Sequence, residues 1–394
     1  MGTNQQAPLS GIQVVEFSHM VMGPSIGLIL ADLGADVIKV EPVTGDKTRN
    51  LKGSGAGYFA MYNRNKRSIC LDMKSDEGKE VVNKLVAKAD VVIENFRPGA
   101  LEKLGYGYEV LKQTNPKLIY CSARGFLKGP YENRTALDEV AQMMGGLAYM
   151  TGPVGRPLRA GASVIDVMGG MFGVIGILAA LEKRHSSGEG QNITSSLYES
   201  TVFLVGQHMA QKVVTGRPAD PMPARISAWA IYDVFDVANG EKLFVGVVSD
   251  SQWKIFCEDF GFTEFAANRT MDTNSGRVDL RSEIIPIVAA RFATLSVQEL
   301  SSKLAKSGLP YAPITKPQDL FDDVHLNNSD GLINVGLPNG SHAKLPALPI
   351  SMSDERFGLK RDVPSIGEHS KEILEQLGLT ETQIEDLYKN GIAG

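Results

Sequence analysis

The stretch from Ile12 to Val40 leaves this chain few folds to choose from. An apolar run, Ile12 to Phe17, leads to a Gly-Pro pair at Gly23 and Pro24. An apolar segment of helical length follows from Ile26 to Leu33, and Val37 to Val40 is apolar again. Two short apolar strands around one helix make a β-α-β unit, in which the strands lie parallel and the helix covers one face of the sheet. The pattern recurs: Ser68 to Leu71, Val91 to Glu94 and Leu118 to Ser122 read as strands, and Gly78 to Ala87 as a helix. The N-terminal half therefore predicts a doubly wound, Rossmann-like α/β domain.

A second region follows. Thr215 to Arg225 holds three prolines and a glycine and reads as a linker. Ala230 to Val237 and Lys242 to Val248 flank an Asn239-Gly240 turn and predict a β-hairpin. Helical patterns run over Ser251 to Phe260, Ile284 to Leu295 and Val297 to Ser307, and a loop-rich stretch spans Pro313 to Pro349. Two closing helices are expected over Ser370 to Leu377 and Glu381 to Lys389, with Thr380 and Gln383 in capping-box spacing. The expected organisation is a large domain from residues 1–214 and 330–394, a smaller α+β domain over 226–312, and linkers at 215–225 and 313–329.

A net charge of −5 argues against binding nucleic acid or an anionic membrane, since both need a summed positive field. The N-terminal segment, Met1 to Pro8, has no apolar signal core. Val167 to Leu181 is the longest apolar run, short for a membrane span and broken by four glycines. Cys70, Cys121 and Cys257 have no metal-type spacing and read as reduced thiols of a cytoplasmic protein. The six histidines show no metal motif, so no metal site is expected.

Dinucleotide binding would suit the opening unit, with Glu41 placed for a ribose. However, its turn reads Ser18-His-Met-Val-Met-Gly-Pro24 and lacks the three-glycine fingerprint. His19 sits on that turn, either as a packing residue or at a ligand. Arg64-Asn-Lys-Arg67, Lys74, and Asn95-Phe96 with Lys103 stand around the strand ends. They either form solvated faces or hold the phosphates and ring of a coenzyme.

Asp166 opens the Gly-rich apolar run. A carboxylate just ahead of a helix can serve as a plain N-cap. It can equally serve as a nucleophile that the free backbone N–H groups keep ionised. Position alone does not separate the two.

Taken in order, the strings Ala31-Asp-Leu-Gly-Ala-Asp-Val-Ile-Lys-Val-Glu-Pro42, Asn63-Arg-Asn-Lys-Arg-Ser68, Leu71-Asp-Met-Lys74, Asn95-Phe96, Asp138 before Ala141-Gln142, Gly176-Ile-Leu-Ala-Ala-Leu181 and Gly367-Glu-His369 resemble the class III CoA-transferases. That family includes formyl-CoA transferase, carnitine CoA-transferase and α-methylacyl-CoA racemase, and the resemblance spans nearly the whole chain. It implies an interlocked homodimer with a Rossmann-like domain built from both chain ends. It also implies acyl-CoA as a substrate and no permanently bound cofactor.

By the same resemblance, Asp166 is the acyl-accepting nucleophile, passing through an aspartyl anhydride and an aspartyl-CoA thioester. Asp138 is an active-site hydrogen-bonding group, and Leu71, Lys74, Asn95, Phe96 and Lys103 contact the coenzyme. Backbone N–H groups at the helix start are the expected oxyanion donors. The racemases carry His-Asp where this chain has Leu137-Asp138, so transfer is expected rather than racemisation or epimerisation. The formyl-CoA transferases carry a Gln where this chain has Val21-Met22 before Gly23. A bulkier acid than oxalate is therefore expected, with succinyl-CoA as a donor and a dicarboxylate as acceptor. Arg134, Arg159 and Arg225 are either carboxylate anchors or ordinary surface residues.

Overall fold

The computed structural model describes residues 7–394, so most of the polar segment 1–8 lies outside the described residues. Six parallel strands form the central sheet: β1 (Gln13–Phe17), β2 (Asp36–Glu41), β3 (Arg67–Cys70), β4 (Val91–Glu94), β5 (Ile119–Arg124) and β6 (Asn192–Ser196). Their order is β3-β2-β1-β4-β5-β6. The order reverses between β1 and β4, and it is outside the carboxyl ends of strands at such a switch point that ligands bind in open α/β sheets.

Alternation along the strands feeds two cores. Val15, Phe17, Ile38 and Val40 face α2 (Asp76–Lys88) and the closing helices α9 (Ser370–Gln376) and α10 (Glu381–Lys389). Val14, Val37, Val91 and Ile93 face α1 (Met22–Asp32) and α4 (Val164–Ser187). Between these lie α3 (Asp138–Met144) and, after β6, α5 (Leu197–Thr215). The backbone divides into two compact units, one running to Pro223 and resuming at Val324–Gly394, the other Ala224–Asp323. The second unit holds an antiparallel sheet of β7 (Ile231–Asp236), β8 (Lys242–Val247) and β9 (Tyr311–Pro313). Its core packs this sheet against α6 (Asp250–Phe260), α7 (Arg281–Phe292) and α8 (Val297–Ser307).

Four local expectations are corrected. Gly23 and Pro24 form the first turn of α1 rather than a turn before it, a place where proline loses no hydrogen bond. The helix expected to follow Asn192 begins only after an edge strand, Asn192–Ser196, ahead of α5. The loop-rich stretch contains a hairpin, β10 (Leu332–Gly336) with β11 (His342–Pro346), closed around Asn339-Gly340. Lastly, the apolar run belongs to a helix of 24 residues, long and apolar enough to cross a membrane, yet α4 packs against α1, β5 and β6 as a core helix.

The glycines of α4 explain that packing. A Cβ on Gly170 would fall 2.0 Å from Ser25 Oγ, and one on Gly173 would fall 2.6 Å from Ile26 Cδ1. Only bare backbone lets α1 and α4 lie this close.

The basic string Arg64 to Arg67 is neither solvated nor free for phosphates. Arg64 pairs with Asp32 at 2.6 Å, Lys66 with Glu16 at 2.8 Å and Arg67 with Asp36 at 2.5 Å, and all four residues from Arg64 to Arg67 are buried. Lys39 joins Glu16 and Asp46 in the same layer, and its Nζ donates to the carbonyl of Ser18. Glu41, which the opening motif offered to a ribose, is held by Arg49, Ser68 and the Asp46 N–H. Burial brings Lys66 down to about 8 despite its carboxylate partner.

Gly27 sits against this network, with a Cβ there falling 1.7 Å from Glu16 Oε2 and 3.0 Å from Lys66 Nζ. Gly27→Ala is expected to destabilise the fold by roughly 1–3 kcal/mol, the range for overpacking. Urea denaturation should move the midpoint down with the slope unchanged.

Candidate active site

The carboxyl ends of β1 and β4 are tied to each other. Asn95, just after β4, accepts from the His19 N–H through Oδ1 at 3.0 Å and donates Nδ2 to the His19 carbonyl at 2.8 Å. The His19 ring packs on Phe96 with centroids 5.3 Å apart, and burial holds its imidazole below the usual range. Met20 next to it has a left-handed φ of 65°, and its N–H donates to Thr48 Oγ1 at 3.0 Å. A non-glycine residue in that region is strained and persists only where neighbours hold it.

Over this crevice opens a cavity of about 400 Å³. It brings together Asn95, Phe96, Asp138 and Asp166 from distant parts of the chain. Leu71, Lys74 and Lys103 do not line it, although they follow the carboxyl ends of β3 and β4. Leu71 is buried and bridges to Ala393, while Lys74 and Lys103 are exposed. Among the described residues no cluster of His, Cys, Asp or Glu is placed to hold a metal ion.

Asp166 lies inside the first turn of α4, with Ser163 at the N-cap position and making no side-chain cap there. The cap comes from elsewhere. Asp138, at the start of α3, accepts through Oδ2 from the N–H groups of Ile165 at 3.0 Å and Asp166 at 3.2 Å. Its Oδ1 accepts from Gln142 Nε2 at 2.5 Å and pairs with Arg159 at 3.3 Å. Gln142 in turn accepts from the Ala160 N–H at 2.8 Å, so both segments are pinned to α3.

Two expectations change as a result. The N–H groups of Ile165 and Asp166 are already engaged by Asp138, so these two are not open oxyanion donors. Nor does the helix terminus keep Asp166 fully ionised. Burial, reinforced by the negative charge of Asp138 and opposed by Arg159, pushes its carboxyl up to about 7. A carboxylate short of water is also more basic, hence a stronger nucleophile once ionised.

Tyr58 and Tyr62 escaped the sequence reading. Tyr58 lines the cavity with its hydroxyl 3.4 Å from Ser163 Oγ, and burial with the charge of Asp166 pushes the Tyr62 phenol up to about 12. Both come from a helical turn, Tyr58–Tyr62, after the glycines Gly53, Gly55 and Gly57. No spacing links that turn to Asp166.

Residues 9–370 match the model of CoA-transferase family III. The chain belongs to this family. It is 34% identical to a succinate–glutarate CoA-transferase of Agrobacterium fabrum, over 95% of this chain and 96% of the relative. It is 31% identical to the succinyl-CoA:glutarate CoA-transferase of Mus musculus, over 98% of this chain and 90% of the relative. A solved CAIB/BAIF family protein from Brucella suis superposes with a TM-score of 0.83 at 36% identity, covering 95% of this chain and all of the other. As a family III CoA-transferase the protein is an enzyme that uses acyl-CoA.

The raised Asp166 carboxyl carries a stability cost with a definite sign. Between about pH 4 and pH 7 the unfolded carboxyl has lost its proton while the folded one retains it, so the stability from this group falls as pH rises and is lowest above pH 7. Asp166→Asn removes the titration. Urea denaturation should show the variant gaining stability over the parent protein between pH 5 and pH 8. A difference independent of pH would refute the assignment.

Proposed function

We propose that this enzyme moves CoA from an acyl-CoA thioester to a free carboxylic acid through covalent intermediates on Asp166. The observation that carries the reading is the Asp166 carboxylate, partly buried at the cavity that Asn95 and Phe96 also line and in no ion pair among the described residues.

In this reading the carboxylate attacks the thioester carbonyl, the C–S bond breaks, and a mixed anhydride and CoA thiolate result. The thiolate attacks the Asp166 carbonyl, expels the donor acid and leaves an aspartyl-CoA thioester. The acceptor carboxylate then displaces the thiolate to form a second anhydride. The thiolate finally takes the new acyl group and frees Asp166. Atoms and electrons balance without an oxidant or reductant.

Asp138 acts here as a positioning residue. Its oxygens are committed to α4, Gln142 and Arg159, which leaves it poorly placed as a base. Leu137 stands where a racemase has its histidine. Both points favour transfer over racemisation.

Asn95 and Phe96 are proposed to bind the coenzyme, with Leu71, Lys74 and Lys103 contacting it farther out. The names of the Agrobacterium and mouse relatives support succinyl-CoA as donor and a dicarboxylate as acceptor. The buried free thiols Cys70, Cys121 and Cys257 fit a cytoplasmic setting.

An interlocked homodimer belongs to the same proposal. Met171 and Ile175 on α4, with Phe203, Met209, Val213 and Val214 on α5, are exposed, Val213 and Val214 being more than 80% accessible. Phe172 and Phe203 join the two helices edge to face. An apolar surface of this kind marks a protein contact. Light scattering on the purified protein should give twice the chain mass.

Activity is tested by incubating the enzyme with succinyl-CoA and a panel of carboxylic acids. Acyl-CoA of at least one dicarboxylate should form, and Asp166→Ala should lower turnover by several orders of magnitude. Hydroxylamine should trap the activated Asp166 only when acyl-CoA is present. Full activity in Asp166→Ala would sink the mechanism.

A further inference from the structure

Four arginines line the cavity that holds Asp166: Arg97, Arg124, Arg134 and Arg159. Two have spent their charge. Arg124 pairs with Glu94 at 2.6 Å, reaches Glu102 at 3.6 Å and donates to the Phe96 carbonyl. Arg159 divides its donors among Asp138, Glu139 and the carbonyls of Ala160 and Ala162. Arg97 is exposed on the turn directly after Phe96, on the side assigned to the coenzyme.

Arg134 is exposed like Arg97, and differs from all three in being seated on aromatic rings. It pairs with no carboxylate among the described residues, and its guanidinium lies 5.1 Å from the ring centroid of Tyr131 and 5.9 Å from that of Phe126. Those rings pack on each other at 5.7 Å and on Tyr198 at 5.4 and 6.3 Å. An aromatic seat attracts a cation and restricts its motion, yet leaves the in-plane N–H donors unused. A guanidinium held in this way is preorganised for a carboxylate fork. Glu132, on the same loop, is exposed and forms no ion pair with it among the described residues.

We infer that Arg134 anchors the second carboxylate of the acyl group, so that the substrates are dicarboxylic acids and their CoA monothioesters. The inference rests on acyl transfer at Asp166. There the donor acid departs before the acceptor reacts, both acids occupy one acyl pocket in turn, and a single cation serves both halves of the reaction.

Donor chains of equal length separate the cases: succinyl-CoA against butyryl-CoA, with glutarate against pentanoate as acceptors. The unaltered enzyme should prefer the diacids. Arg134→Gln should lower the diacid-to-monoacid ratio of kcat/KM about 10- to 100-fold, the loss of one hydrogen bond to a charged group. Arg134→Lys should recover part of it. Glutarate, but not pentanoate, should raise the Tm of the unaltered enzyme, and Arg134→Gln should abolish that shift.

An unchanged ratio in Arg134→Gln, equal losses on both substrate classes, or no glutarate-specific shift in the unaltered enzyme would overturn the inference. Asp166→Ala separates it from the mechanism. That variant should lose turnover and keep the glutarate shift, and an active Asp166→Ala refutes the acyl-aspartate route without altering the Arg134 ratio.

Discussion

The glycine face of α4 is the contact on which the candidate site depends. Gly169, Gly170, Gly173 and Gly176 remove the side chains that would hold α1 and β6 away, so the helix carrying Asp166 settles directly against Met22, Ser25, Ile26 and Ile193. Close packing transmits position, because interiors at crystal-like density have little room to yield. Helix α1 itself follows the turn that Asn95 clamps and Thr48 supports. Through these contacts Asp166 is referred to the same strand ends from which Asn95 and Phe96 line the cavity.

Asp138 adds the electrostatic half of the design. One buried carboxylate satisfies two N–H groups at the start of α4, accepts from Gln142 and pairs with Arg159. Its negative charge also raises Asp166, which the pairing with Arg159 only partly offsets. The arrangement sacrifices stability at the Asp166 carboxyl, a pattern found where a group is held both desolvated and reactive. The buried pairs of Glu16, Lys39 and Lys66 beneath the adjoining strands show the opposite use of charge, with most donors and acceptors spent on structure.

Much of this was legible along the chain. The β-α-β strands follow from apolar runs, the Thr380 capping box from local hydrogen-bonding chemistry, and Asp166, Asp138, Asn95 and Phe96 from their ordered motifs. What escaped has a common physical cause. The string Arg64 to Arg67 reads as a surface run because its partners Asp32, Glu16 and Asp36 are remote in sequence. β6 is short and mostly polar, with its identity supplied by pairing to β5. Asp166 looked like its own helix cap because the true acceptor, Asp138, lies on another helix.

By itself the sequence determined the periodicities, and with them the parallel sheet, the helices on its two faces and the residue types available for acyl transfer. Those are local matters of propensity and burial pattern. Only the tertiary structure decided which charges are consumed in pairs and which remain, how far the Asp166 carboxyl rises, and that Tyr58 and Arg134 share its cavity. Ionisation and ion pairing depend on distance and solvent exclusion, and neither exists until remote segments have packed together.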